Sequence, residues 1–144
     1  MSLQSFITQF VGMSITGVTT VYDSNAVPES FADSKLPILI PIMPVAPGPG
    51  GQSPVILNRN VTDGYEATYP VEFRIYIRPV GQKPPATYVR EMVLFTDRLL
   101  TAVRTNDASF AWNLLVRAPS AGISQFANID YVVVSFPVEY TEIL

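Results

Sequence analysis

Apolar residues recur at Leu3, Phe6, Ile7, Phe10 and Val11, the i, i+3, i+4, i+7, i+8 spacing of one helix face. Ser2 stands where an N-cap is wanted, and Gly12 or Gly17 is placed to end that helix. Further along, the period changes to two. Val71, Phe73, Ile75 and Ile77 alternate with Glu72, Arg74, Tyr76 and Arg78, which predicts a strand with one buried face. Pro79–Pro85 turns the chain, and its last prolines suit the first turn of a helix running from about Ala86 to Arg104. Val89, Met92, Val93, Leu99, Leu100 and Val103 trace one stripe along that helix and are expected to be core. Asn106 is placed as its C-cap, and Arg104 suits the negative end of the helix dipole. Two strands follow, Trp112–Arg117 and Asn128–Tyr140. The second sets Val132, Val134, Phe136, Val138 and Tyr140 on one face, with Pro137 predicting an edge position or a bulge.

The remaining segments carry weaker signals. Val18–Tyr22 reads as a short strand before a polar turn at Asp23–Asp33. Leu36–Met43 is densely apolar, but its prolines cannot donate to a ladder, so an edge strand or an extended segment is expected. Val55–Asn58 and Tyr65–Tyr69 flank Thr62-Asp63-Gly64, a hairpin signal. Between them Pro44–Pro54 is rich in Pro and Gly and free of charge. It is expected to be mobile in the isolated subunit and to become ordered against a neighbour. The order of elements predicts an α+β fold in one domain, residues 1–144: a mostly antiparallel sheet with an N-terminal helix and one long helix packed on it.

Composition narrows the function. Apolar residues make up 48% of the chain and charged residues only 15%, against about 25% charged in soluble domains. So few charges leave neutral or apolar surface to be covered, and a permanent assembly covers it best. A soluble monomer with a neutral polar surface is the alternative. The net charge of −3 and scattered cations give no footprint for gripping nucleic acid. No positive charge occurs in the first 34 residues, so Met1–Ile15 does not read as a secretory signal. The apolar run Leu36–Pro47 is too short and too broken by proline to span a membrane.

With neither His nor Cys, a Ser-His-Asp triad, a Cys-His pair, a disulfide and the common zinc sites are impossible. Lys35 and Lys83, the only lysines for a Ser-Lys dyad, sit beside prolines in predicted loops. Glu66, Glu72, Asp130, Glu139 and Glu142 could pair across strands, but a solvated sheet face explains them as well. Gly48, Gly50 and Gly51 lack the Lys-Ser/Thr pair of a phosphate loop, and Pro44, Pro47 and Pro49 remove amide donors. Asn60-Val61-Thr62 matches a glycosylation sequon by chance. Arg74, Tyr76 and Arg78 form a basic-aromatic strip on one strand face, suited to cross-strand or inter-subunit salt bridges more than to stacking on bases. The expected functional residues are therefore interface residues: Pro44, Pro47, Gly48, Pro49, Gly50 and Gly51 in the loop, and Arg74, Tyr76 and Arg78 on the strand. No catalytic residue, metal or cofactor is expected.

The N-terminal helix, the Pro-rich segment, and then VEFRIYIRP, YVREMVLFTDRLLTAVR and DYVVVSFPVEY resemble the tail terminators of long-tailed bacteriophages. These are also called tail-completion or minor tail proteins, and the lambda tail terminator is a familiar member. The resemblance rests on element order, size and texture over most of the chain. It implies a non-enzymatic virion protein of the tail or neck, assembled in the host cytoplasm as a homo-oligomeric ring, usually a hexamer. Such a ring caps the tail tube, ends its polymerisation and offers the surface that joins the head-completion or connector protein. DNA passes through the lumen without specific binding, and a hexamer of this chain would carry a charge of −18, which does not grip phosphate. Other expectations are another neck or tube protein of a phage or contractile injection system, a protein-binding module using the Pro/Gly loop or an exposed strand, and, last, an enzyme that works with carboxylates alone.

Overall fold

The computed structural model describes residues 2–43, 55–59, 64–106 and 119–143, together with the backbone of 114–116. Nine elements of regular structure and one 3-10 turn (Asp33–Lys35) are described. In chain order they are α1 (Leu3–Val11), β1 (Thr20–Val21), β2 (Ile38–Ile42), β3 (Ile56–Arg59), β4 (Tyr65–Pro79), α2 (Pro85–Thr105), β5 (Leu114–Val116), β6 (Ser120–Phe126) and β7 (Ile129–Ile143). The fold is α+β, as the sequence predicts. All seven described strands belong to one sheet, and among them only β1 and β2 run parallel.

The sheet is built around β4 and β7, fifteen residues each, paired antiparallel from Glu66–Ile143 to Pro79–Tyr131. At about 3.3 Å per residue each strand is roughly 50 Å long, so no single layer of flanking strands accompanies it throughout. Beside β4 lie β2 and, further along, β3; beside β7 lie β6 and β5 in the same fashion. The expected strands at Tyr65–Tyr69 and Val71–Arg78 are thus one continuous strand.

Pro41, Pro70 and Pro137 fall where no strand among the described residues pairs with the side to which an N–H would point. Successive residues of a strand direct their N–H and C=O to opposite sides. Tyr22 donates to the Leu39 carbonyl, so Leu39 and Pro41 both face the β1 side, and β1 has already ended opposite Leu39. The same alternation turns Ile40 and Arg74 toward each other, and with Arg74 it turns Pro70 to the side of β2 and β3, between Glu72, opposite the end of β2, and Thr68, opposite the start of β3, where no described residue pairs with it. On β7, Pro137 lies between Ser135, opposite β6, and Val138, opposite β5, and no described residue of those two strands is paired with it. This corrects the edge expected for both segments: β2 lies inside the sheet, and Pro137 lies in a central strand whose register with β4 is unbroken there, while its register on the other side shifts by one residue between β5 and β6.

Two cores result. The helix-side core joins Phe6, Ile7, Phe10 and Val11 of α1 and Tyr88, Phe95, Leu99 and Ala102 of α2 to Val71, Phe73, Ile75, Ile77 and Val132, Val134, Phe136, Val138, Tyr140. Phe10 stacks on Phe73 with centroids 3.7 Å apart, and Phe6 stacks on Tyr140 at 4.3 Å. The Ser2 hydroxyl accepts from the Ser5 amide and caps α1, and Gly12 closes that helix. On the opposite face Phe31, Ile38, Ile40, Tyr76, Tyr131 and Val133 form a second core. Phe31 is its lid, stacked on Phe126 at 4.0 Å. An outer face that alternation alone would leave wet is therefore buried at its centre by the segment that reads as a polar turn.

β6 has no counterpart in the sequence-based element list. Ala127 (φ 51°) and Asn128 (φ 65°) join it to β7 by a two-residue turn of the type that usually carries glycine. The β3–β4 pairing puts Arg59 opposite Tyr65, so a hairpin forms as expected, but with residues 60–64 between its strands. Asn60, Thr62 and Asp63 lie outside the described residues. Among the described residues no helix is long and apolar enough to cross a membrane.

Candidate assembly surfaces

The expected strip of Arg74, Tyr76 and Arg78 does not exist as one surface. A β-bulge between Tyr76 and Arg78 shifts the register with β7 and changes which face each side chain meets. Tyr76 is fully buried against Phe31, Phe126 and Tyr131, so no ring is offered for stacking. Arg78 reaches α2 and forms a two-pronged ion pair with Glu91, its Nε donating at 2.7 Å. That carboxylate pushes the Arg78 pKa up, against partial burial. Arg74 stays on the other face. It donates to Glu72 at 3.1 Å, the Ser124 hydroxyl at 3.1 Å and the Tyr76 hydroxyl at 3.3 Å, while its buried Nε has no partner. Burial pulls its pKa down, and the Glu72 and Tyr76 contacts outweigh that and raise it. Both arginines thus hold the subunit together. The other expected interface residues, Pro44, Pro47, Gly48, Pro49, Gly50 and Gly51, lie outside the described residues, as does Trp112.

A second correction concerns α2. At about 100° per residue, Tyr88, Met92, Phe95, Leu99 and Ala102 cluster on one side, and these meet the core. Val89, Val93, Thr96 and Leu100 lie about 100° round the helix and stay outside it. Leu99 is 0% exposed, whereas Val89 is 57% and Val93 66% exposed. The expected stripe was the average of two stripes, and the fold buries only one. With Met92, Asp97 and Ala121 the outer stripe lines an open apolar groove of about 440 Å³. Ile123 of β6 is also exposed.

The second exposed apolar surface is the far end of the long sheet. β3 is solvent-facing throughout, and Val55, Ile56, Leu57, Tyr65 and Ile143 are all exposed there. The arm is pinned internally by Thr68–Thr141 hydroxyls at 3.0 Å and by the Tyr69 hydroxyl donating to Glu142 at 3.0 Å. Burial and the Glu142 carboxylate together push the Tyr69 pKa up.

Polar chemistry is concentrated where α1 meets the following turn. Asp23 accepts from Thr8 Oγ1 at 2.6 Å, from the Ser24 amide at 2.6 Å and from Gln4 Nε2 at 3.0 Å. The Thr8 hydrogen bond contributes most to holding its carboxyl below the usual range, opposed by desolvation and helped by Ser24 and Gln4. Gly17, at φ 87°, lets the Arg98 guanidinium lie where any Cβ would collide with it. Among the described residues the buried positions are apolar or tyrosine, and no three His, Cys, Asp or Glu converge as metal ligands. Sequence reasoning missed the outer α2 stripe and Ile123. The signal for the first was present: Tyr88, Phe95 and Leu99 already fill one helix face, which leaves Val89, Val93 and Leu100 a face of their own. No protein-family model matches this chain, and no curated protein matches its sequence.

Proposed function

We propose that this chain is a structural subunit that acts by assembling, and that its assembly is a closed ring of the tail-terminator kind, of six copies, capping a phage tail tube and offering the surface to which the head joins. The observation that carries this reading is the distribution of exposed apolar residues. They gather at the outer flank of α2 and at the arm formed by β3 and the ends of β4 and β7, on a chain with only 15% charged residues. Patches of this kind mark surfaces covered in the functional state. Two separate patches on one subunit suit contacts with more than one neighbour, as a ring on a tube requires. The resemblance in element order supplies the identity of those neighbours: further copies, the tube protein and a connector protein, with DNA passing through an unspecific lumen in the virion. The test is a tube-growth assay. Adding the purified chain to polymerising tail-tube protein is expected to leave tubes capped and short, and tubes of unaltered length would overturn the proposal. A protein-binding module is the second reading, favoured by one observation: β6 is an exposed strand paired on one side only among the described residues.

A further inference from the structure

We infer that two copies of this chain associate about a two-fold axis that sets α2 antiparallel against its symmetry mate and joins the two β6 edges into one continuous sheet. The inference does not rest on the ring reading. A two-fold contact closes after two copies, so it gives a dimer of the free chain, and in a ring it would join two rings face to face.

The first support is the spacing on α2. Val89, Val93, Thr96 and Leu100 follow steps of four, three and four, the a/d alternation that packs a second helix at a shallow angle. Arg90 and Asp97 flank this seam on its solvent side, and both are exposed. Their positions are equivalent in the heptad, seven residues apart, and opposite in charge. In an antiparallel pair equivalent flanking positions face each other. With Val89 opposite Leu100 of the second copy, Arg90 comes within reach of Asp97 of that copy, and the same holds in reverse. A parallel pair would oppose them to Met92 and Leu99, which pack into the subunit's own core. The charge pattern therefore selects an antiparallel copy of this same helix.

The second support is independent. Strand alternation turns Ser120, Gly122, Ser124 and Phe126 toward β7. The N–H and C=O groups of Ala121, Ile123 and Gln125 therefore point away from the sheet, and no strand among the described residues pairs with them. Edge strands are ordinarily guarded by charge or proline, and Ser120–Phe126 contains neither. Centred on Ile123, the strand is complementary to itself: Ile123 faces its mate and Ala121 faces Gln125. Both supports use one axis. The outer stripe of α2 lies to the side of the core rather than above it, and Ala121 forms part of the same groove. Two subunits placed edge to edge therefore bring helix to helix and strand to strand, and cover Ile123.

The chain contains no cysteine, so engineered thiols report the geometry cleanly. Mixing Val89→Cys with Leu100→Cys protein under mild oxidation is expected to give a disulfide-linked dimer, and neither variant alone should. Cross-linking of Val89→Cys with itself would indicate a parallel or unrelated contact and overturn the inference, as would a strict monomer by light scattering or an oligomer that gives no mixed disulfide. Arg90→Glu or Asp97→Lys alone should weaken the dimer about tenfold or more, by turning two attractions into repulsions. The double variant should regain it, and failure to do so excludes the charge pairing. Ile123→Lys, exposed in the monomer, should leave the circular dichroism unchanged and abolish dimerisation; a dimer that persists excludes the strand pairing.

Discussion

The rotation of α2 can be tested with two substitutions that the sequence pattern treats as equivalent and the structure does not. Leu99→Ala removes three carbons from a fully buried site among Phe95, Ala102 and the β4–β7 face. Loss of transfer energy plus the residual cavity costs about 3–5 kcal/mol. For a domain of this size each kcal/mol moves the melting temperature by about 3 °C, so Leu99→Ala should melt roughly 9–15 °C lower. Val93→Ala acts on a site 66% exposed, where little burial is lost and alanine is the better helix former by a few tenths of a kcal/mol. Its melting temperature should be unchanged or about 1–2 °C higher. Differential scanning calorimetry at low protein concentration is the suitable assay, because self-association would otherwise add its own stabilisation. If Val93→Ala lost as much as Leu99→Ala, the outer stripe would be core and the reasoning about two stripes would fail.

Phe31→Ala should cost about 3–5 kcal/mol in urea unfolding, because Phe31 closes the second core over Tyr76 and Tyr131; a neutral result would mean that face is not covered by this segment. The Asp23 carboxyl is depressed in the folded state, so its contribution is present above about pH 4, its unfolded range, and is lost as pH falls through the lower folded value. Asp23→Ala should therefore destabilise at pH 7 and differ little from the parent near pH 2, and a pH-independent difference would contradict the network. Pro137→Val should leave stability within about 0.5 kcal/mol, since no described residue of β5 or β6 pairs with it, whereas Ser135→Pro, facing Ser120 of β6, should cost about 1–3 kcal/mol for the orphaned carbonyl. Equal costs would refute the strand parity argued for β7.

Much of this fold is legible from periodicity because single-sided burial leaves a clear record. α1 and the helix-facing residues of β4 and β7 are where their spacing puts them, and Ser2 and Asn106 cap the helices as their positions suggest. Legibility fails where burial departs from one face per element. On α2 the apolar arc is wider than the core it serves, so its centre misplaces the buried side toward Val93. At Tyr76 the bulge lets three consecutive residues be buried, and nothing in the alternation Val71–Arg78 marks the extra residue. β6 escaped because Ala121 and Ile123 are exposed and the turn at Ala127-Asn128 lacks glycine. Prolines misled in the other direction. Pro41 and Pro137 argue locally for an edge, but a position beyond the end of a neighbouring strand serves a proline equally well, and where β1, β5 and β6 end is set by tertiary register.

The proposed closed ring can be sought in electron micrographs of the negatively stained, purified protein, alone and with tail tubes. Closed particles of one size with rotational symmetry are expected, single or paired face to face, or one such ring seated at the tube end. Featureless particles of monomer mass in both samples, with bare tube ends, would contradict it.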